Sequence, residues 1–180
     1  AKQRRYDQLF KESQITACDL TPDKERGVEF CDICSLPYQD NSFDNILCIE
    51  VLQYLKLEQI KPALKEIKRV LKPAGMAIIT MPFFYKDHKD NLRLSSAYVS
   101  FLLKELRFFD FQVIRFGNKF TAYYDIMRNS YFKAKFLKPF YLLEATLAFL
   151  AIKIFRLEKI KDDFYTGIMI KITKIIEGNP

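Results

Sequence analysis

Asn45-Ile-Leu-Cys-Ile49 and Met76-Ala-Ile-Ile-Thr-Met81 are two short apolar runs separated by one amphipathic segment, and together they decide the fold. Each is a continuous run of strand length, as expected of a strand buried on both faces of a parallel sheet. Between them, Ile60, Ala63, Leu64, Ile67, Val70 and Leu71 recur at three- and four-residue spacing, which predicts a helix with one buried face. Lys61, Lys65, Lys68, Arg69 and Lys72 fall on its solvent side, and Pro73 with Gly75 closes it. Strand, helix and strand in that order is the right-handed crossover unit of a parallel sheet.

The flanks extend the same pattern. Ile15-Thr-Ala-Cys-Asp19 and Val28-Glu-Phe-Cys-Asp32 are β-like runs that each end on an acid, with a Pro22/Asp23/Gly27 turn between them. A second helix follows Ser95-Ser96, with Val99, Leu102, Leu103 and Leu106 as its buried face. Phe111-Gln-Val-Ile-Arg-Phe116 predicts a strand stopped by Gly117-Asn118, and Gly167-Ile-Met-Ile-Lys-Ile-Thr173 the last one. Residues 121–160 read as helical in two pieces divided near Pro139. The fold class is α/β with mostly parallel strands, and 180 residues make one domain, 1–180.

Charge divides the chain. Residues 1–85 are neutral, whereas residues 86–180 hold 17 Lys and Arg against 10 Asp and Glu, the whole of the +7. A basic half suits an anionic substrate, acidic lipid headgroups or simply a soluble surface. Basic runs interleaved with aromatics are lacking, so no nucleic-acid partner is expected. Cys31-Asp-Ile-Cys34 has C-x-x-C spacing, but Cys18 and Cys48 stand alone, so the cysteines read as core residues and no metal site is expected. Reduced cysteines and a charged N-terminal stretch imply a cytoplasmic location. The apolar stretch from Phe140 to Leu157 is interrupted by Glu144, Lys153 and Arg156 and falls short of the about 20 apolar residues of a spanning helix.

Four segments carry a family resemblance. Asp32-Ile-Cys-Ser-Leu-Pro-Tyr-Gln-Asp-Asn-Ser-Phe-Asp44, Glu50-Val-Leu-Gln-Tyr54 and Glu66-Ile-Lys-Arg-Val-Leu-Lys-Pro-Ala-Gly75, with the acid-ended strand at Asp19, resemble class I S-adenosylmethionine-dependent methyltransferases of the type 11 family. The resemblance implies a Rossmann-like sheet flanked by helices, a cofactor-side half at 1–85 and a substrate-side half at 86–180 with a helical insertion at about 121–160. It also implies S-adenosyl-L-methionine as cofactor. Asp19 would accept from the ribose hydroxyls, Leu20 and Ile33 would sandwich the adenine, and Asp32 would accept from its amino group. Cys48, Ile49 and Glu50 would pass near the methionine end. The chain departs from the family's pattern at Ala74, where a second glycine is usual, and at Tyr54, where many relatives have His.

The family opens with a central strand and a glycine-rich loop, and nothing like them occurs here: the five glycines, at 27, 75, 117, 167 and 178, do not cluster. The chain begins instead with Ala1-Lys-Gln-Arg-Arg-Tyr-Asp-Gln-Leu-Phe10, which resembles the helix that follows that loop. The resemblance therefore implies a domain whose first strand is missing from between the Ile15–Asp19 and Asn45–Ile49 strands. Its alternatives are a gap filled by another chain or a sheet that has closed up.

Methyl transfer demands orientation more than acid–base power, but a hydroxyl acceptor also benefits from a base. The cluster after the Met76–Met81 strand supplies candidates: His88, Asp90, Arg93 and Ser95 resemble a loop of relatives from surface-polysaccharide pathways, with Glu50 beside it. The expected activity is methyl transfer to a small-molecule or sugar-like acceptor, with a lipid-linked acceptor as an extension. The competing reading is a non-catalytic binding module of the same fold. Leu36-Pro37 and the Arg69–Pro73 stretch disfavour a dehydrogenase. Phe140, Leu143, Leu147, Leu150, Ile154 and Leu157 form one stripe, which reads first as a helix packed over the sheet or the acceptor pocket. Its sharper reading is a peripheral contact of 139–157 with the inner face of a membrane, where Lys135, Lys138, Lys153 and Arg156 meet anionic headgroups.

Overall fold

A computed structural model describes residues 6–84, 89–129, 138–161 and 163–175. The first two strands, β1 (Ala17–Asp19) and β2 (Val28–Phe30), pair in parallel as a separate ribbon. A second sheet has the order β3 (Phe43–Ile49), β4 (Leu71–Pro82), β6 (Gly167–Thr173), β5 (Asp110–Phe116). β3 and β4 are parallel, with Asn45 opposite Met76 and Ile49 opposite Thr80, and α1 (Leu57–Val70) is the crossover between them. β6 is antiparallel to both β4 and β5, so three of the four strands point the same way.

α1 and α2 (Ser96–Glu105) pack side by side on one face of this sheet. Ile60, Ala63, Leu64 and Ile67 from α1 and Val99, Leu102 and Leu103 from α2 meet Ala77, Ile79, Met81, Ile168, Ile170 and Ile172 from the strands. Lys61 bonds Glu105 at 2.6 Å across the two helices. Ser95 caps α2, its Oγ accepting from the Tyr98 N–H. Burial alternates along β4, and Leu47 of β3 is 42% exposed, so the expectation of strands buried on both faces is corrected. An apolar run fits one covered face as well as two when the other is only half covered.

β1 and β3 do not pair with each other, and among the described residues each has ladder partners on one edge only. A sheet closed up on itself is thereby excluded. The expected helix at the beginning is, in its described part, a short 3₁₀ turn at Asp7–Phe10. The helical insertion consists of α3 (Lys119–Asn129) and α4 (Lys138–Ile154). The division precedes Pro139, which sits in the first turn of α4, where its missing N–H costs nothing. α4 leans on α3 through Tyr123 Oη, which donates to Glu144 at 2.6 Å, and through the Tyr124–Phe149 ring contact.

The stripe on α4 is not packed over the sheet or an acceptor pocket. Ala145 and Ile152 are buried, whereas Phe140 is 67% and Ile154 71% exposed, with Leu143, Leu147 and Leu150 exposed between them. Among the described residues α4 packs against α3 and the short Leu157–Lys159 turn, which are too narrow to cover the whole stripe. Among the described residues no helix is long and apolar enough to cross a membrane.

An irregularity within β4, where the register passes from Phe43 opposite Leu71 to Asn45 opposite Met76, explains one departure from the family pattern. Ala74 has φ +61°, a left-handed conformation that favours glycine, and its N–H donates to Lys174 O at 2.7 Å. Next to it, a side chain on Gly75 would lie 2.8 Å from the Asp44 and Lys72 carbonyl oxygens. Ala74→Gly relieves the strain and is expected to stabilise by about 0.5–1 kcal/mol after the larger unfolded-state entropy of glycine. Thermal denaturation should show Tm higher by about 2 °C, and a lower Tm would contradict it.

Candidate active site

The carboxyl ends of β3, β4 and β5 lie at the same end of the sheet, and there a cleft of about 430 Å³ opens. Its lining includes Glu50, Gln53, Tyr54, Pro82, Asp90, Phe116, Asp125 and Thr166. Open α/β sheets bind ligands at this end because the loops there diverge. Glu50 immediately follows β3 and adopts φ +56°, an uncommon conformation for a residue with a side chain. Its N–H donates to Thr80 O at 3.1 Å, and its carboxylate accepts from Thr80 Oγ1 and from Gln53 Nε2, each at 3.2 Å.

A 3₁₀ turn at Leu52–Tyr54 and the 89–93 segment are laced together below the cleft. The Asn91 and Leu92 N–H groups donate to Gln53 O, and Asn91 Nδ2 donates to Tyr54 O at 2.8 Å. This holds Asp90 at the wall, where its side chain is 4% exposed and bonded by Arg93 through Nε and Nη2. Arg93 Nη1 also donates to Phe83 O at 2.9 Å, so Arg93 is a clamp on the loop after β4. Of the expected catalytic residues, Glu50 and Asp90 thus line the cleft and Arg93 buttresses it, while His88 lies outside the described residues.

The ribbon gathers the expected adenosine ligands. Asp19 and Asp32 follow each other across it, because the Cys31 N–H donates to Asp19 O at 3.1 Å. Both are turn aspartates: Asp19 Oδ1 accepts from the Thr21 N–H at 3.0 Å and Asp32 Oδ1 from the Cys34 N–H at 2.8 Å. These bonds fix the carboxylates and do not preclude a ligand, since each carboxylate offers about four acceptor positions. Leu20 is exposed, and Ile33 packs against the core from the loop that follows β2. Two anchored acceptors beside an exposed leucine suit a diol and an adenine, so the residues present fit the adenosine part of the cofactor. Cys48 is buried, and burial pushes its thiol up to about 12, so it is a neutral wall residue beside Ile49.

The cysteines differ from expectation. Cys18 and Cys31 form a disulfide across β1 and β2, and Cys34 is free. Cys31 is the residue after β2, and the pairing of β1 with β2 brings its Cα to 5.5 Å from that of Cys18, which the C-x-x-C spacing does not foretell. The basis for a reducing compartment is removed with it. Among the described residues no group of three or more His, Cys, Asp or Glu side chains could hold a metal ion.

Arg69 is the hub that holds the ribbon's exit loop onto α1. Its guanidinium donates to both Glu66 oxygens at 2.7 Å, to Asp40 Oδ1 and Tyr38 O at 2.8 Å, and to Leu36 O at 3.0 Å. Glu66 also accepts from the Leu36 N–H at 2.8 Å. The Leu36-Pro37 segment and the Glu66…Arg69 pair are therefore two halves of one structural clasp. Gln53, Asp125 and Thr166 were missed as site residues: Asp125 comes from α3 and Thr166 from the residue before β6, and no local pattern marks either.

Known proteins agree with this geometry. Residues 4–79 match the family described as Methyltransferase domain. The uncharacterized protein MJ0638 of Methanocaldococcus jannaschii is 35% identical over 92 residues, which are 50% of this chain and 37% of that protein. The chain thus spans little more than a third of that relative's length. A SAM-dependent methyltransferase from Archaeoglobus fulgidus superposes with a TM-score of 0.59 at 17% identity, covering 94% of this chain and 80% of that one. The Burkholderia thailandensis 1,6-didemethyltoxoflavin-N1-methyltransferase, solved with its substrate and S-adenosylhomocysteine, gives 0.54 at 17% identity over 96% and 67%. The fold is that of the class I S-adenosylmethionine-dependent methyltransferases, and the family match covers the segment that carries Asp19, Asp32 and the Glu66–Arg69 clasp.

Proposed function

We propose that this chain belongs to a methyltransferase that uses S-adenosyl-L-methionine and a small-molecule or sugar-like acceptor. The observation that carries the reading is the cleft at the strand ends, walled by the strained Glu50, because open α/β sheets bind their ligands at this end. When bound, the cofactor supplies an electrophilic methyl group, and it carries the difficult chemistry. The chain's own residues then have limited tasks. Asp19 and Asp32 orient the adenosine part, Ile33 and Leu20 flank the base, and Cys48 and Ile49 wall the approach to Glu50. Glu50 and Asp90 accept hydrogen bonds from the acceptor, Arg93 holds Asp90, and His88 takes up a proton from a hydroxyl acceptor.

Isothermal titration of the protein with S-adenosylmethionine tests the reading. Binding with methyl transfer to a saccharide supports it, and no binding by a well-folded sample favours the competing non-catalytic binding module. His88→Ala should cut turnover at least tenfold; unchanged turnover would remove His88 from the chemistry.

The uncovered face of α4 favours one extension, a lipid-linked acceptor met at a membrane surface. Phe140, Leu143, Leu147 and Ile154 face outward near the cationic Lys153, Arg156 and Lys159, the composition of an interfacial helix. Co-sedimentation with anionic vesicles, lost on Leu143→Glu/Leu147→Glu, is the expected result; recovery of the protein in the supernatant would contradict it.

A further inference from the structure

The same dipeptide occurs twice at the adenosine corner: Cys18-Asp19 ends β1, and Cys31-Asp32 follows β2. A disulfide joins the two cysteines, whose Cα atoms are 5.5 Å apart. The crosslink therefore lies one residue from each of the two carboxylates assigned to the adenosine part of the cofactor. A disulfide has a short, fixed reach, so it limits how far the backbones of Asp19 and Asp32 can separate.

The two sides of this crosslink are held very differently. On the Asp32 side, Val28 is buried, Ile33 and Cys34 pack against the core, and Arg69 grips the Leu36 and Tyr38 carbonyls. On the Asp19 side, residues 8–14 and 20–22 are exposed, and among the described residues β1 has ladder partners on β2 alone. That ladder pairs three residues with three, and the Cys31 N–H bond to Asp19 O extends it by one. A two-stranded ribbon of this size is marginal in water. The disulfide is the covalent tie between β1 and the anchored side.

We infer that the Cys18–Cys31 disulfide is a redox switch on the adenosine corner, holding Asp19 in place beside Asp32 when closed and releasing β1 when reduced. The inference rests on the reading of Asp19 and Asp32 as cofactor ligands for its effect on binding, but not for the release of β1. A dithiol completes the chemistry. Its thiolate attacks the sulfur of half-buried Cys18, the S–S bond breaks, and Cys31 leaves as a thiolate that takes up a proton. The second thiol of the reagent then closes on the first and expels Cys18, which is protonated in turn. Two electrons have passed to the protein, and the dithiol ends as a cyclic disulfide.

Cys34 is the competing partner for Cys31, and its surroundings keep it out of the exchange. Burial and the neighbouring Asp32 push its thiol above the ordinary value, and its Sγ donates to Gln59 O at 3.6 Å. A thiol that stays protonated is a poor nucleophile. With the crosslink open, a ligand that bonds both carboxylates must order β1 itself, and that cost lowers its affinity. By linkage, a bound ligand protects the crosslink by the same factor.

Titration calorimetry with S-adenosylhomocysteine on the oxidised and the dithiothreitol-reduced full chain tests this, with alkylation and mass spectrometry recording each cysteine's state. The reduced protein should bind at least tenfold more weakly, and ligand-saturated protein should need more dithiothreitol for half-reduction. Cys18→Ser/Cys31→Ser should bind as the reduced protein does and ignore the reductant, whereas Cys34→Ser should keep the full switch. The two wild-type states decide the matter even if a variant fails to fold. Equal affinities with reduction confirmed, or tighter binding on reduction, overturn the inference and leave the cofactor reading intact. So does a Cys18 or Cys31 that alkylates fully after air oxidation. Should neither state bind, the cofactor reading falls, and hydrogen exchange decides the rest. Faster exchange of the 17–19 and 28–31 amides on reduction upholds the hold on β1, and unchanged exchange overturns it.

Discussion

Asp19→Ala is expected to weaken S-adenosylmethionine binding by about 10- to 100-fold, with Tm nearly unchanged. The carboxylate sits at the carboxyl end of β1, and one of its oxygens is already fixed by the Thr21 N–H. A diol presented to a fixed carboxylate makes charge-assisted hydrogen bonds, each worth about 1.5–3 kcal/mol. Losing about 1.4 kcal/mol is a factor of ten in affinity. The turn bond that the folded protein loses is local and exposed, so stability is largely spared. Asp19→Asn should fall between, because its single oxygen is shared with the turn. Titration calorimetry on the three proteins decides the matter, and equal affinities would return Asp19 to the role of a turn residue.

Arg69→Met should produce the largest loss of stability, a fall in Tm of about 5–10 °C. The guanidinium makes five hydrogen bonds that tie the 36–40 loop to α1, and a thioether replaces none of them. It also leaves Glu66 without its counter-charge in a part-buried position. Lysine should rescue little, since a point charge cannot reproduce a planar fork. pH dependence distinguishes the clasp from a generic packing defect. The Arg69 bond to Glu66, aided by the Leu36 N–H, holds the Glu66 carboxyl below the usual carboxylate range. The folded value is thus depressed, so the stabilisation is full above the ordinary Glu value of about 4.3 and is lost as pH falls through the lower folded value. Melting curves should therefore show the wild-type and Arg69→Met values converging as pH falls through that window. A constant difference would refute the ion-pair account.

How far the sequence led can be argued from particular residues. The crossover unit was legible because helical spacing from Ile60 to Val70 and two apolar runs are local patterns, and the structure pairs β3 with β4 in parallel as they imply. The acids at strand ends were legible for the same reason, since Asp19 and Asp32 each terminate a β-like run. The motif Glu66…Arg69 carried the family resemblance but not its reason, which is a clasp to carbonyl oxygens about thirty residues away. Ala74 looked like a minor change in a turn; its positive φ shows that the backbone there asks for glycine.

What the sequence by itself determined is therefore the fold class and the family resemblance, both encoded in spacing along one segment. Only the tertiary structure decided three other things. It joined Cys18 to Cys31 where reduced core cysteines were expected, because a disulfide follows the distance between Cα atoms, and the pairing of β1 with β2 brings the residue after β2 close to Cys18. It left the α4 stripe uncovered, because whether an amphipathic face is buried depends on a partner surface that periodicity does not specify. And it gathered Glu50, Gln53, Asp125 and Thr166 into one cleft, because residues that meet at the end of a sheet come from three separate segments whose convergence is a property of topology.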